Sequence, residues 1–312
     1  MIDVFLQTLP FFALIGLGYA AGRTGFFPDE ATAWLTKFVF YFALSAMVFR
    51  FAANLSLGEL LTREFVLAYL SATVAVYVFM VAVSLLRGRG IEEAAVEAQC
   101  GVIGNVGFLG LPMLAMLLGE PAIGPVMVVL AIDVTVFGSL IVILITGRRD
   151  GRVSVGILWT VVKGLASNPM IVSLVAGFAW SALKLPIPGP FEAFLTLLGA
   201  AATPGALFAI GASLASKSAE RLGVALWLST SKLILHPAAV ALAALVVFPV
   251  EPYAAGVMIA AAALPVAGNV FILAQHYGVA PQRVSASILV STAISVVTVS
   301  AVIAWLGPLQ GG

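Results

Sequence analysis

The 312-residue chain is 62% hydrophobic and 9% charged, with a formal net charge of +1. About a quarter of the residues of an average soluble domain are charged, so this chain cannot cover the surface of a soluble globule, and its near-neutral balance offers no bulk attraction for nucleic acid. With a mean hydropathy of +1.14, the sequence reads as an all-α integral membrane protein whose main solvent is the bilayer.

A spanning helix needs about 20 mostly apolar residues. Breaks rich in Gly, Pro and charge divide the chain into ten such runs: 4–22, 32–52, 65–86, 94–118, 122–146, 161–183, 191–215, 222–248, 252–276 and 284–306. The first is read as a span and not a signal peptide, because Asp3 and no basic residue precedes it. The longest connection is GRRDGRVS, 147–154, so no soluble domain is expected. The lone cysteine, Cys100, has no disulfide partner and reads as a small packing residue.

Basic residues set the orientation. The connections from odd to even spans carry Arg23, Arg87, Arg89, Arg148, Arg149, Arg152, Lys217, Arg221 and Arg283, while the other side carries Arg50, Arg63 and Lys184. The first side is therefore expected to be cytoplasmic, with both termini outside an inner (plasma) membrane.

Within span one, Pro10 is followed after seven residues by Gly18-Tyr19-Ala20. In span six, Pro169 is followed after seven residues by Gly177-Phe178-Ala179. Span four carries Gly104-Asn105-Val106 and span nine carries Gly268-Asn269-Val270. The offsets, 159 and 164 residues, put the pairs in register as repeats, 1–150 and 151–312. Five spans per repeat is an odd number, so the second copy enters the membrane inverted, as in many secondary transporters. Span four is expected to break over GNVGFLGLP, 104–112, and span nine over LPVAGN, 264–269. Pro112 and Pro265 each remove a backbone donor, and the glycines let another backbone approach. Broken backbone at membrane depth is tolerated only when buried in protein or lining a cavity. The two breaks are expected to meet near the midplane, where half-helix amino ends suit an anion and Asn105 and Asn269 add polar groups. The competing reading is that each Gly or Pro is an ordinary packing kink.

The stretches GNVGFLGLP (104–112), NPMIVSLVAGF (168–178), PGALFAIGASLA (204–215), KLILHP (232–237) and LPVAGNVFILAQHYGV (264–279) resemble the auxin efflux carrier family in its bacterial branch, a fold related to the bile-acid sodium symporters. The resemblance covers essentially the whole chain. It implies ten spanning helices in an inverted repeat, with the fourth and ninth broken and crossing at their prolines. It also implies a dimeric scaffold (about 1–60 and 161–216) and a moving transport domain (about 61–150 and 221–312), an elevator arrangement. The family moves organic anions: auxin in plants, carboxylates such as malate or malonate in some bacteria. Crossing roles carry over to Gly104, Asn105, Pro112, Pro265, Gly268 and Asn269. One departure is Ser45, where the family usually has a proline, which leaves the bend of span two without its usual cause.

Other polar residues lie deep in the spans. Asp133 sits mid-span in five, where a carboxyl costs roughly 2.5–3.5 kcal/mol on insertion scales; it is a candidate proton carrier or a hydrogen-bonded structural group. Lys232 in span eight is a candidate receiver for a carboxylate or a counter-charge to Asp133, and His236 one turn on is a second proton-coupling candidate or a structural residue. Thr135 and Ser139 read as pocket lining or interhelical glue, and His276 as an interfacial residue. The function expected is a carrier of a small organic anion by alternating access. A sodium-coupled carrier of the bile-acid type is the alternative, weakened because span nine has no acid between Tyr253 and Gln275; a channel or a sensor are further alternatives. No enzyme chemistry, metal or cofactor is expected. The partners expected are the anion, a proton, membrane lipid and a second copy of the chain.

Overall fold

The computed structural model describes residues 2–55, 62–150, 155–216 and 222–306. Arg152, Lys217 and Arg221, used above for orientation, lie outside the described residues. The described residues form helices: α1 (Ile2–Arg23), α2 (Asp29–Ala53), α3 (Arg63–Leu86), α4 (Ile91–Val102), α5 (Val106–Leu118), α6 (Glu120–Arg149), α7 (Val155–Ala166), α8 (Pro169–Ala182), α9 (Gly189–Ala215), α10 (Leu222–Val247), α11 (Pro252–Ala262), α12 (Gly268–Tyr277) and α13 (Pro281–Leu306). Seven of them are long and apolar enough to cross a membrane: α1, α2, α3, α6, α9, α10 and α13. α5, α8 and α11 are shorter apolar helices. The chain is an integral membrane protein built of helices, which close their backbone hydrogen bonds internally as lipid requires.

Two boundaries differ from the sequence expectation. The run 161–183 is not one helix: α7 ends at Ala166 and α8 begins at Pro169. Pro169 disfavours helical backbone at the residue before it, and Asn168 caps the new helix through its Oδ1, which accepts from the amides of Met170 (3.0 Å) and Ile171 (3.4 Å). In span four the break is shorter than the Gly/Pro-rich stretch suggests, because helix resumes at Val106.

The helices pack in two groups. In the first, α1 lies along α9 and α8 along α2. The α1–α9 contact is backbone to backbone: a Cβ at Gly211 would stand 1.9 Å from the Ile15 carbonyl oxygen, and one at Gly18 2.1 Å from that of Phe208. Gly177 does the same for α8, where a Cβ would stand 2.7 Å from the Phe49 carbonyl oxygen. The glycine of each Pro-x7-Gly stretch is thus a helix-packing position, the small-residue contact that membrane helices favour. In both pairs the partners run in the same direction: Gly18 and Gly22 meet Phe208 and Ala215 in order, and Gly177 and Ser181 meet Phe49 and Leu55. The second group holds α3–α6 and α10–α13. A buried hydrogen bond between Thr8 and Ser300 hydroxyls (2.8 Å) ties α1 to α13 across the two groups.

Ser45 stands where a proline would bend span two, yet α2 is distorted without one. A π turn occupies Val39–Ala43, and the Ser45 hydroxyl donates to the Phe40 carbonyl at 3.1 Å, supplying a donor where the widened turn frees an acceptor.

Candidate functional site: the paired breaks and the polar cluster beside them

The two helix breaks meet. α4 stops at Val102 with Ile103 extended, and α11 stops at Ala262 with the chain extended at Ala267. Between them the segments pair as a single antiparallel bridge, Gly104 with Val266. The Asn105 amide donates to the Pro265 carbonyl at 2.8 Å and the Ala267 amide to the Ile103 carbonyl at 3.1 Å. The Val266 amide donates to Ser291 Oγ on α13 at 3.1 Å. Each break thereby satisfies the other's backbone groups, which in lipid have no water to turn to. α5 and α12 begin within two residues of the bridge, so their amino ends, with positive dipoles, lie beside it.

Lys232 completes this crossing. It is fully buried on α10, in a π turn over Ser231–Leu235 that precedes Pro237. A proline at 237 cannot bond the carbonyl one turn back, and the wider turn absorbs the loss. The Nζ donates to the carbonyl of Ala262, the last residue of α11, where a cation meets the negative end of the helix. A Cβ on Gly104 would lie 3.2 Å from both Cε and Nζ of Lys232 and 3.3 Å from the Ala261 carbonyl oxygen. Glycine at 104 therefore leaves room for the ammonium to lie against the paired breaks.

From Lys232 a buried polar chain runs back to α3 and α6. Lys232 Nζ lies 3.3 Å from His236 Nδ1; His236 Nε2 lies 3.1 Å from Thr73 Oγ1; the Thr73 hydroxyl donates to the Tyr69 carbonyl at 2.7 Å. The Tyr69 hydroxyl donates to Asp133 Oδ1 at 2.8 Å, and Asp133 Oδ2 is buried with no partner. Asp133 opens its own π turn, Asp133–Phe137, on α6. Asp133 and Lys232 form no ion pair within 4 Å.

The residues singled out in the sequence are thus distributed unevenly. Gly104, Asn105 (7% exposed), Pro265 and Lys232 sit together at the crossing, with Asp133 and His236 joined to it through Tyr69 and Thr73. Pro112 is buried within α5, seven residues beyond Asn105, so the bridge is centred on Gly104 and not on this proline. Gly268 and Asn269 are exposed in the first turn of α12, and Val266 takes the pairing place opposite Gly104. The Thr135 and Ser139 hydroxyls donate to the carbonyls of Ala131 and Thr135 on their own helix. His276 is exposed, and Cys100 is buried and unpaired.

Sequence reasoning passed over Tyr69 and Thr73; their signal is a Tyr and a Thr one helical turn apart inside an apolar span. It also passed over an acidic group on the first turns of α4. Glu97, 1% exposed, accepts from Arg283 at 2.9 Å and pairs with Arg87 at 3.5 Å; Arg283 also reaches Glu93 at 2.9 Å. Arg149 binds Glu92 at 2.8 Å and the Tyr277 carbonyl at 2.7 Å. These bonds clasp α4, α6, α12 and α13 at one end. Glu92, Glu93, Arg148 and Arg149 line a cavity of about 350 Å³ with Gly278 and Val279.

The family model described as membrane transport protein matches residues 3–303. The chain belongs to that family, that of the auxin efflux carriers. The transporter is 32% identical over 307 residues to a Rhizobium meliloti (strain 1021) protein named "Putative malonate transporter", covering 96% of this chain and 95% of that one. It is 26% identical over 302 residues to "Uncharacterized transporter YfdV" of Escherichia coli (strain K12), covering 93% of each. The family and these relatives are transporters and not enzymes.

Proposed function

We propose that this membrane transporter carries a small organic anion, of the dicarboxylate class to which malonate belongs, through the crossing by alternating access, and that a proton is the coupling ion. The observation that carries the reading is the fully buried ammonium of Lys232 set against two paired helix breaks. Two helix amino ends and a cation converge there, which suits a carboxylate. A cation already built into the crossing occupies the role that sodium would play in the bile-acid type of carrier.

Charge balance argues for the proton. The deep polar chain holds one acid, Asp133, and one ammonium, Lys232. Adding a dicarboxylate dianion leaves two uncompensated negative charges at membrane depth, an expensive state. A proton on the unpartnered Oδ2 of Asp133 removes one of them. In this reading residues 1–150 and 151–312 are inverted repeats and ten helical passages cross the inner membrane with both termini outside. The helices α1, α2, α8 and α9 form a dimeric scaffold, and the group holding α3–α6 and α10–α13 moves against it in elevator fashion. The separate packing of the two groups supports this division, as does the parallel run of α1 with α9 and of α2 with α8.

The test is uptake of labelled malonate by proteoliposomes. Accumulation driven by an imposed proton gradient in sodium-free buffer is expected. Uptake that needs sodium and ignores the proton gradient would replace this reading with the sodium-coupled one, and non-saturable flux without counter-flow would make the protein a channel.

A further inference from the structure

We infer that His236 and Thr73 are positioning residues for Lys232: they hold its ammonium against the crossing by locking His236 as the neutral tautomer protonated on Nε2. This rests on the reading of Lys232 as the cation that receives the anion.

The hydrogen positions follow from the heavy atoms. Thr73 Oγ1 and the Tyr69 carbonyl oxygen stand 2.7 Å apart. Two oxygens at that separation need a hydrogen between them, and a carbonyl has none. The Thr73 hydroxyl hydrogen is therefore committed to Tyr69, and toward His236 the threonine offers only lone pairs. At 3.1 Å the bond must be donated by Nε2–H. A neutral imidazole with its hydrogen on Nε2 presents a lone pair at Nδ1, and that atom is the one facing Lys232 Nζ at 3.3 Å. The ammonium then uses two of its three hydrogens, one to Ala262 and one to His236, and keeps the third for an incoming carboxylate.

The same arrangement separates two candidates for proton coupling. The ionisable groups around the imidazole are Lys232 on its own helix and Tyr69 on α3, whose ring centroid is 5.9 Å away, with Asp133 of α6 beyond the Tyr69 hydroxyl. An imidazolium would turn a second N–H and a like charge toward the ammonium and release it from its place. His236 thus acts as a fixed acceptor, which leaves the transported proton to Asp133.

The test uses the full-length transporter in detergent or nanodiscs. The chain has two histidines, His236 and the exposed His276, so a His276→Gln background labelled with nitrogen-15 histidine reports His236 alone. The expected spectrum is that of a neutral ring protonated on Nε2. Thr73→Val removes the acceptor at constant shape and is expected to mix the tautomers and raise the malonate KM about tenfold or more, while the maximal rate stays close to the parent. Thr73→Ser is expected to restore both. His236→Asn, which places an oxygen near Nδ1, is expected to keep malonate affinity better than His236→Gln, which does not. A parent spectrum protonated on Nδ1, or Thr73→Val with parental affinity and spectrum, overturns the inference while leaving the site at Lys232 standing. Unchanged malonate affinity in Lys232→Met removes the anion-binding reading itself, and the inference with it.

Discussion

Replacing Lys232 by methionine removes the buried cation and keeps nearly the same volume. On the binding side, the anion loses one charge-assisted hydrogen bond. Such a bond contributes about 1.5–3 kcal/mol, so malonate affinity should fall by roughly 10- to 150-fold. On the stability side the terms oppose one another. The Ala262 carbonyl and His236 Nδ1 lose their donor, but a fully desolvated ammonium is no longer held in the interior. Asp133 keeps its bond from Tyr69 and can take a proton on Oδ2, so no stranded carboxylate is created. The expected signature is therefore a folded protein with a melting temperature near that of the parent and a greatly reduced stabilisation by malonate. Thermal denaturation of the purified protein with and without malonate reads both, because a bound ligand stabilises by mass action. Gly104→Ala keeps the cation but sets a methyl group 3.2 Å from its Cε and Nζ, so it should weaken binding in the same direction and by less. Malonate affinity equal to the parent in Lys232→Met would refute the placement of the anion at the crossing.

Asp133→Asn should keep malonate exchange between the two sides of a proteoliposome and lose accumulation driven by a proton gradient; unchanged accumulation would remove Asp133 from coupling. Gly211→Ala sets a methyl group 1.9 Å from the Ile15 carbonyl oxygen, so α1 and α9 must part. A loss of more than about 2 kcal/mol is expected from such overpacking, read as a lower melting temperature, and a parental melting temperature would show the contact to be looser than described. With Cys100 replaced by alanine, a cysteine at Arg148 should react with a membrane-impermeant thiol reagent from the cytoplasmic side and one at Lys184 from the opposite side; the reverse pattern would overturn the orientation taken from the basic residues.

What the chain's own sequence determined are the properties that depend on composition and on local spacing. A 9% charged chain must live in lipid, and apolar runs bounded by Gly, Pro and charge must be helices there. The breaks near 104 and 265 were legible because Gly and Pro act on their own helix, and Asp133 and Lys232 stood out because charge at that depth is rare. The tertiary structure alone decided which residues face each other. Gly104 pairs with Val266, two residues before the Gly-Asn-Val triplet that matches it in sequence, because the register of two crossing segments is set by the backbone bonds each can satisfy in the other. The triplet's own Gly268 and Asn269 fall on an exposed turn as a result. Tyr69, Thr73, His236 and Asp133 lie on three helices separated by 64 and 163 residues along the chain, and Glu97 and Arg283 are 186 residues apart. No periodicity within one helix encodes such meetings; they arise when packing removes each polar group from lipid and leaves it only the partners that the neighbouring helices bring.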